Sequence, residues 1–266
     1  MAQPTILVFD SGLGGLTVFR EIAAARPDAR LVYAADDAFF PYGAHDEAAL
    51  VARVVPLIGE LIARISPDLV VIACNTASTL VLPHLRARYA VPFVGTVPAI
   101  KPACASSQTR RVSVLGTGAT VRREYTMALI RDFAQGCDVA LVGSARLAAL
   151  AEAALRQEPV EDAAIAAEIA PCFVDDGARR TDTVVLACTH YPLLLDRFKA
   201  NAPWPVDWID PAPAIARRVA DLLHERPAAS GPAPPPEIAF TSGRAPSPTL
   251  AKALAAYGFK PARQPV

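Results

Sequence analysis

Short, almost unbroken apolar runs alternate along this chain with longer stretches in which Ala, Leu and Arg recur at helical spacing. The apolar runs are rich in β-branched residues and predict strands at 5–10, 31–35, 69–73, 93–95, 111–115, 139–142, 183–187, 206–209 and 238–241. Helices are predicted at 16–26, 47–65, 147–155, 162–176 and 213–224, with a further helical stretch at 249–257. Strands that lack polar alternation are buried on both faces. The pattern therefore predicts an α/β fold whose mainly parallel central sheets are covered by helices on both sides. The Pro/Ala-rich stretch 226–236 reads as a surface connection, because an apolar run and a helical stretch follow it.

The pattern also repeats. Leu69-Val70-Val71-Ile72-Ala73-Cys74-Asn75-Thr76 is matched later by Thr183-Val184-Val185-Leu186-Ala187-Cys188-Thr189-His190. Ahead of each lies another strand that ends in a small-residue turn, Phe9-Asp10-Ser11-Gly12 in the first case and Leu115-Gly116-Thr117-Gly118 in the second. Ligands in open parallel sheets sit beyond the carboxyl ends of the strands. Two pseudo-symmetric α/β domains are expected, each presenting one cysteine at such an end, with the active site in the cleft between them.

Composition narrows the function. The 266 residues leave room for one large domain or two of about 130. Lys plus Arg and Asp plus Glu both number 26, so there is no formal net charge and no basic footprint for nucleic acid or an anionic membrane. The longest apolar runs are about six residues, against the roughly 20 of a membrane helix. No basic patch precedes an apolar stretch at the N-terminus, so a cytoplasmic location is expected rather than secretion. The five cysteines (Cys74, Cys104, Cys137, Cys172 and Cys188) are odd in number and contain no C-x-x-C pair, unlike a disulfide framework or a structural zinc site.

Cys104, Cys137 and Cys172 have no polar companion motif and read as small packing residues. Cys74 and Cys188 differ, because each closes an apolar strand and opens a polar turn ahead of an expected helix, whose N-terminal dipole favours thiolate. The run Asp10-Ser11-Gly12-Leu13-Gly14-Gly15 lets the backbone approach a ligand closely at a helix start. Thr17 stands where a dinucleotide fingerprint needs glycine, and no Lys-Ser or Lys-Thr follows for a phosphate loop. Asp10 fits a helix N-cap, which Ser11 could also supply, or a carboxylate that relays a thiol's proton. Leu80 and Leu194 occupy the positions where a cysteine phosphatase carries Arg. A papain-like pairing of Cys188 with His190 would join residues only two apart and leave the second cysteine without a role. Zinc held by Cys74, Cys188 and His190 suits the residue types but not the usual spacings. Two matched thiols suit stereoinversion, one removing a proton from one face of a carbon and the other delivering a proton to the opposite face.

Taken together, Phe9-Asp10-Ser11-Gly12-Leu13-Gly14-Gly15, Pro41-Tyr42-Gly43, Ala73-Cys74-Asn75-Thr76-Ala77-Ser78, Gly116-Thr117-Gly118-Ala119-Thr120, Ala187-Cys188-Thr189-His190-Tyr191-Pro192 and Phe240-Thr241-Ser242-Gly243 resemble the glutamate racemases over essentially the whole chain. The resemblance implies a cofactor-independent, metal-free enzyme that interconverts L- and D-glutamate for peptidoglycan synthesis. By that likeness Cys74 takes the proton from D-glutamate with help from Asp10, and Cys188 takes it from L-glutamate with help from His190. Asp10, Ser11, Tyr42, Gly43, Asn75, Thr76, Thr189 and His190 correspond to groups that bind the substrate. The family's second-half catalytic glutamate matches Glu152 in part, through Leu150-Ala151-Glu152-Ala153-Ala154-Leu155. Without an electron sink, carbanion-like charge needs hydroxyls and amides in a dry cleft, for which Ser11, Thr76, Thr117, Thr120 and Thr189 are a supply. The expected domains are 1–97 with 210–266, carrying Asp10 and Cys74, and 98–209, carrying Cys188 and His190. A small-molecule substrate, no nucleic-acid or membrane partner, and a homodimer complete the expectation.

Overall fold

A computed structural model describes residues 3–224 and 233–260; most of the predicted connection at 226–236 lies outside the described residues. The chain runs β1 (Thr5–Asp10), α1 (Leu16–Ala25), β2 (Arg30–Ala35), α2 (Glu47–Ile65), β3 (Leu69–Ile72), α3 (Asn75–Arg88) and β4 (Phe93–Gly95). It continues through α4 (Ile100–Ser106), β5 (Arg111–Thr117), α5 (Gly118–Arg122), α6 (Glu124–Phe133), β6 (Asp138–Ser144), α7 (Leu147–Leu155) and α8 (Asp162–Ile169). The later elements are β7 (Thr183–Ala187), α9 (Leu195–Asn201), β8 (Asp207–Ile209), α10 (Ala212–Leu222), β9 (Glu237–Phe240) and α11 (Pro248–Ala255).

These elements form two compact units, residues 1–96 with 212–266, and residues 97–211. In the first, the described strands lie in the order β4-β3-β1-β2-β9, and in the second β6-β5-β7-β8. Every pairing between these strands is parallel. The cause is visible in β1, β3 and β7, where nearly every side chain is buried: such strands need apolar cover on both faces, which only helical crossovers supply.

Each strand order contains a reversal. From β1 the chain goes to β2 on one side and then crosses to β3 on the other; from β5 it goes to β6 and then crosses to β7. Crevices for ligands open at such reversals, beyond the carboxyl ends of the two flanking strands. Phe9 is in register with Ile72, so Asp10 and Cys74 emerge at the same end of the first sheet. Gly116 is in register with Ala187, so Thr117 and Cys188 do so in the second.

Two of the expected helices depart from the sequence pattern, and α4, α5 and α6 lie outside the predicted helical stretches. The stretch predicted as helix over 162–176 stops at Ile169 and tightens into a 3₁₀ turn, Ala170–Cys172, because Pro171 cannot donate to a continuing ladder. The segment after Cys188 is first a 3₁₀ turn, Tyr191–Leu194, with Pro192 in its opening turn, and only then the short α9. Cys74, by contrast, is the N-cap residue of the 14-residue α3. The expectation of equivalent helix starts behind both thiols therefore holds for Cys74 and is corrected for Cys188.

Candidate active site

In the first unit β1 delivers Asp10 and Ser11, and the β3–α3 junction delivers Cys74, Asn75 and Thr76, all buried. Asp10 turns back on its own loop, its Oδ2 accepting from the Gly12 amide at 2.9 Å. The Cys74 and Ser11 side chains meet at 3.6 Å. Neither Oδ1 nor Nδ2 of buried Asn75 has a hydrogen-bond partner among the described residues. A buried amide left open in this way, at the carboxyl end of a sheet, is suited to hold a polar ligand.

Gly15, the last residue of the glycine run, serves packing. A Cβ on Gly15 would lie 2.7 Å from Asp10 Cβ, 2.8 Å from the Tyr33 hydroxyl and 3.0 Å from Ala73 Cβ. At this position the close approach is to the protein's own side chains, and it sets α1 directly against the ends of β1 and β3.

Tyr42 and Gly43 lie in a single 3₁₀ turn, Tyr42–Ala44, after the β2 end. The buried Tyr42 hydroxyl donates to Asp36 Oδ2 at 2.7 Å. Asp36 also accepts from Arg53, at 2.6 Å on Oδ1 and 3.1 Å on Oδ2, and from Thr241 Oγ1 at 2.6 Å. Burial pushes the Asp36 carboxyl up, but the hydrogen bonds from Arg53, Thr241 and Tyr42 and the Arg53 charge outweigh it, holding the group below its ordinary 3.8. Burial, followed by the charges of Asp36, Cys74 and Asp10, drives the Tyr42 phenol far above its ordinary range, so it stays a donor. The sequence reading missed Asp36 and Arg53, and it gave no site role to Thr241, which it met only within Phe240-Thr241-Ser242-Gly243. Asp36 directly follows β2 and Thr241 directly follows β9, and strand-end position was the signal that could have found both.

In the second unit Cys188 Sγ lies 3.8 Å from His190 Nδ1. His190 Nε2 lies 3.2 Å from Glu152 Oε1, and Arg156 holds the other oxygen, Oε2. Glu152 is 3% exposed, so it is no solvated helix residue. Contrary to the expectation from their spacing, Cys188 and His190 bring thiol and imidazole together, because the strand ends in a tight turn rather than continuing. Thr117 N-caps α5, accepting from the Thr120 amide at 3.1 Å, and the two hydroxyls meet at 3.0 Å. Thr189 is buried between Cys188 and His190 in the chain.

The remaining cysteines are free thiols in apolar surroundings. Burial pushes Cys172 up to about 12, and burial with a hydrogen bond to Cys137 pushes Cys104 up to about 12. Among the described residues no group of three or more His, Cys, Asp or Glu side chains is placed to hold a metal ion. No helix among them is long and apolar enough to cross a membrane.

The two parallel-sheet units each carry a buried cysteine just beyond a strand end, and a family model described as Asp/Glu/Hydantoin racemase matches residues 11–219. The chain belongs to that family. It is 52% identical to the glutamate racemase of Brucella ovis, over 97% of this chain and 96% of that protein. It is 53% identical to the glutamate racemase of Brucella anthropi, over 97% and 93%. Among solved structures, Escherichia coli glutamate racemase in complex with L-glutamate and the activator UDP-MurNAc-ala superposes with a TM-score of 0.88 at 41% identity, covering 97% of this chain and 96% of that one. Glutamate racemase from Thermus thermophilus, in complex with β-chloro-D-alanine, gives 0.73 at 28% identity, covering 98% and 96%.

Proposed function

We propose that the chain is a glutamate racemase that works without a cofactor, through two thiols acting on opposite faces of the substrate's Cα. The observation that carries this reading is the matched pair of buried thiols, each at the carboxyl end of a strand beside a sheet reversal. The relatives at about half identity, all named glutamate racemases, supply the substrate. Cys74, with Asp10 beside it, exchanges the proton of D-glutamate, and Cys188 exchanges that of L-glutamate. On the Cys188 side, Nε2–H of His190 donates to ionised Glu152, which leaves the Nδ1 lone pair to take the thiol proton. Asn75, Ser11, Thr76, Thr189 and the Tyr42-Gly43 turn bind the carboxylates and ammonium. Thr117 and Thr120 shape the end of β5. The enzyme acts in the cytoplasm as a homodimer and supplies D-glutamate for peptidoglycan, as the family resemblance suggests.

Exchange of the Cα proton with D₂O tests the assignment. Cys74→Ser abolishes racemisation but lets L-glutamate exchange more readily than D-glutamate, and Cys188→Ser reverses that preference. Equal exchange of both enantiomers in each variant overturns one thiol per face. D-Aspartate assayed beside D-glutamate tests the substrate, and faster turnover of aspartate overturns glutamate.

A further inference from the structure

Arg156 stands just beyond the last residue of α7, one turn after Glu152. That i,i+4 spacing lays its guanidinium over the Glu152 carboxylate. The two carboxylate oxygens therefore have different partners: Oε1 faces His190 Nε2, and Oε2 faces Arg156 Nη2. The Arg156 side chain is 36% exposed, whereas that of Glu152 is 5% exposed. A cation with access to water thus reaches in to a carboxylate that has almost none.

The asymmetry matters because a buried carboxylate stays ionised only when it is paired. His190 cannot guarantee that pairing, since its own charge changes with each proton it takes or gives. A guanidinium is always charged. An ionised Glu152 can only accept, so His190 must present Nε2–H to it, and Nδ1 is then the lone pair facing Cys188 Sγ. A protonated Glu152 could instead donate to Nε2. The ring proton would then sit on Nδ1, aimed at the sulfur, and neutral His190 could not take the thiol proton.

We propose that Arg156 is a positioning residue, which keeps Glu152 ionised and so fixes the His190 tautomer able to exchange a proton with Cys188. In that exchange the Cys188 S–H bond breaks, the proton bonds to His190 Nδ1, and the electron pair stays on sulfur as thiolate. The inference rests on the reading that Cys188 exchanges the proton of L-glutamate.

The test uses the full chain with Arg156→Met, Arg156→Lys and Glu152→Gln, and substrates deuterated at Cα. L- and D-glutamate have equal free energy in solution, so kcat/KM must fall equally in both directions whichever proton transfer is impaired. The primary isotope effects tell the two transfers apart. Arg156→Met is expected to lower kcat/KM about tenfold, the scale of a lost hydrogen bond to a charged group. It should raise the isotope effect measured with L-glutamate and lower that measured with D-glutamate, because the Cys188 transfer becomes the slower one. Arg156→Lys, which keeps the charge, should restore most of the rate and both isotope effects. If Glu152→Gln shifts the isotope effects in this way and Arg156→Met does not, the inference about Arg156 fails while the relay stands. If Glu152→Gln leaves them unchanged as well, the relay fails and takes the inference with it. Should Arg156→Met not fold, Arg156→Gln, which keeps a polar head, carries the same comparison.

Discussion

Asp36 shows how one side chain can organise a site without standing in its motif. Its two oxygens gather Arg53 from α2, Thr241 from the end of β9 and the hydroxyl of Tyr42, so three separate stretches converge on one carboxylate. Because its folded pKa lies below the ordinary 3.8, its share of stability is complete above that value and is lost as pH falls through the folded pKa. Asp36→Asn is expected to cost about 1–3 kcal/mol at neutral pH, the penalty for weakening hydrogen bonds to a buried charged group. It should also flatten the acid limb of stability, so that denaturant unfolding from pH 6 to pH 2 shows a shallower fall than wild type. An equal fall in both proteins refutes the role. The Pro41-Tyr42-Gly43 motif could be read from the sequence as a substrate group; that the tyrosine hydroxyl is turned to Asp36 could not, because the 3₁₀ turn that carries Tyr42 back to the end of β2 has no signature of its own in the sequence.

Among the elements, the strands were the most legible. Runs such as Leu69–Ile72 are apolar without alternation because both faces of the sheet are covered, and that cover is written into the composition itself. Helix ends were less so. Pro171 and Pro192 shift the backbone from α to 3₁₀ by removing a donor, yet α2 and α3 carry Pro56 and Pro83 inside the helix, so proline by itself does not mark a stop. The junction of β1 with α1 depends on contact rather than propensity. Gly15→Ala places a methyl within 3.0 Å of Asp10, Tyr33 and Ala73 and should destabilise the fold by about 1–3 kcal/mol, as overpacking does. Because Asp10 and the residue before Cys74 are what must move, kcat should fall more than thermal stability at assay temperature explains. A variant with full kcat and reduced stability would confine Gly15 to a packing role.

For the whole molecule, the proposal requires that Cys74 and Cys188 serve one substrate. D-Glutamate should then protect both thiols from alkylation by iodoacetamide in parallel, with the same concentration dependence, as read by mass spectrometry of the two peptides. Protection of one thiol only would separate the half-sites. By itself the sequence determined the α/β class, the internal repeat and the two strand-end cysteines, since each is a local matter: unbroken apolar runs make doubly covered strands, and a polar turn after such a run lies at a strand end. The tertiary structure decided which groups stand next to those thiols. Glu152 is 38 residues from His190 along the chain, and Arg53 is 17 residues from Asp36. Such pairs meet only because parallel strands return every crossover to the same edge of the sheet, where burial makes an unpaired charge costly and so fixes each partner.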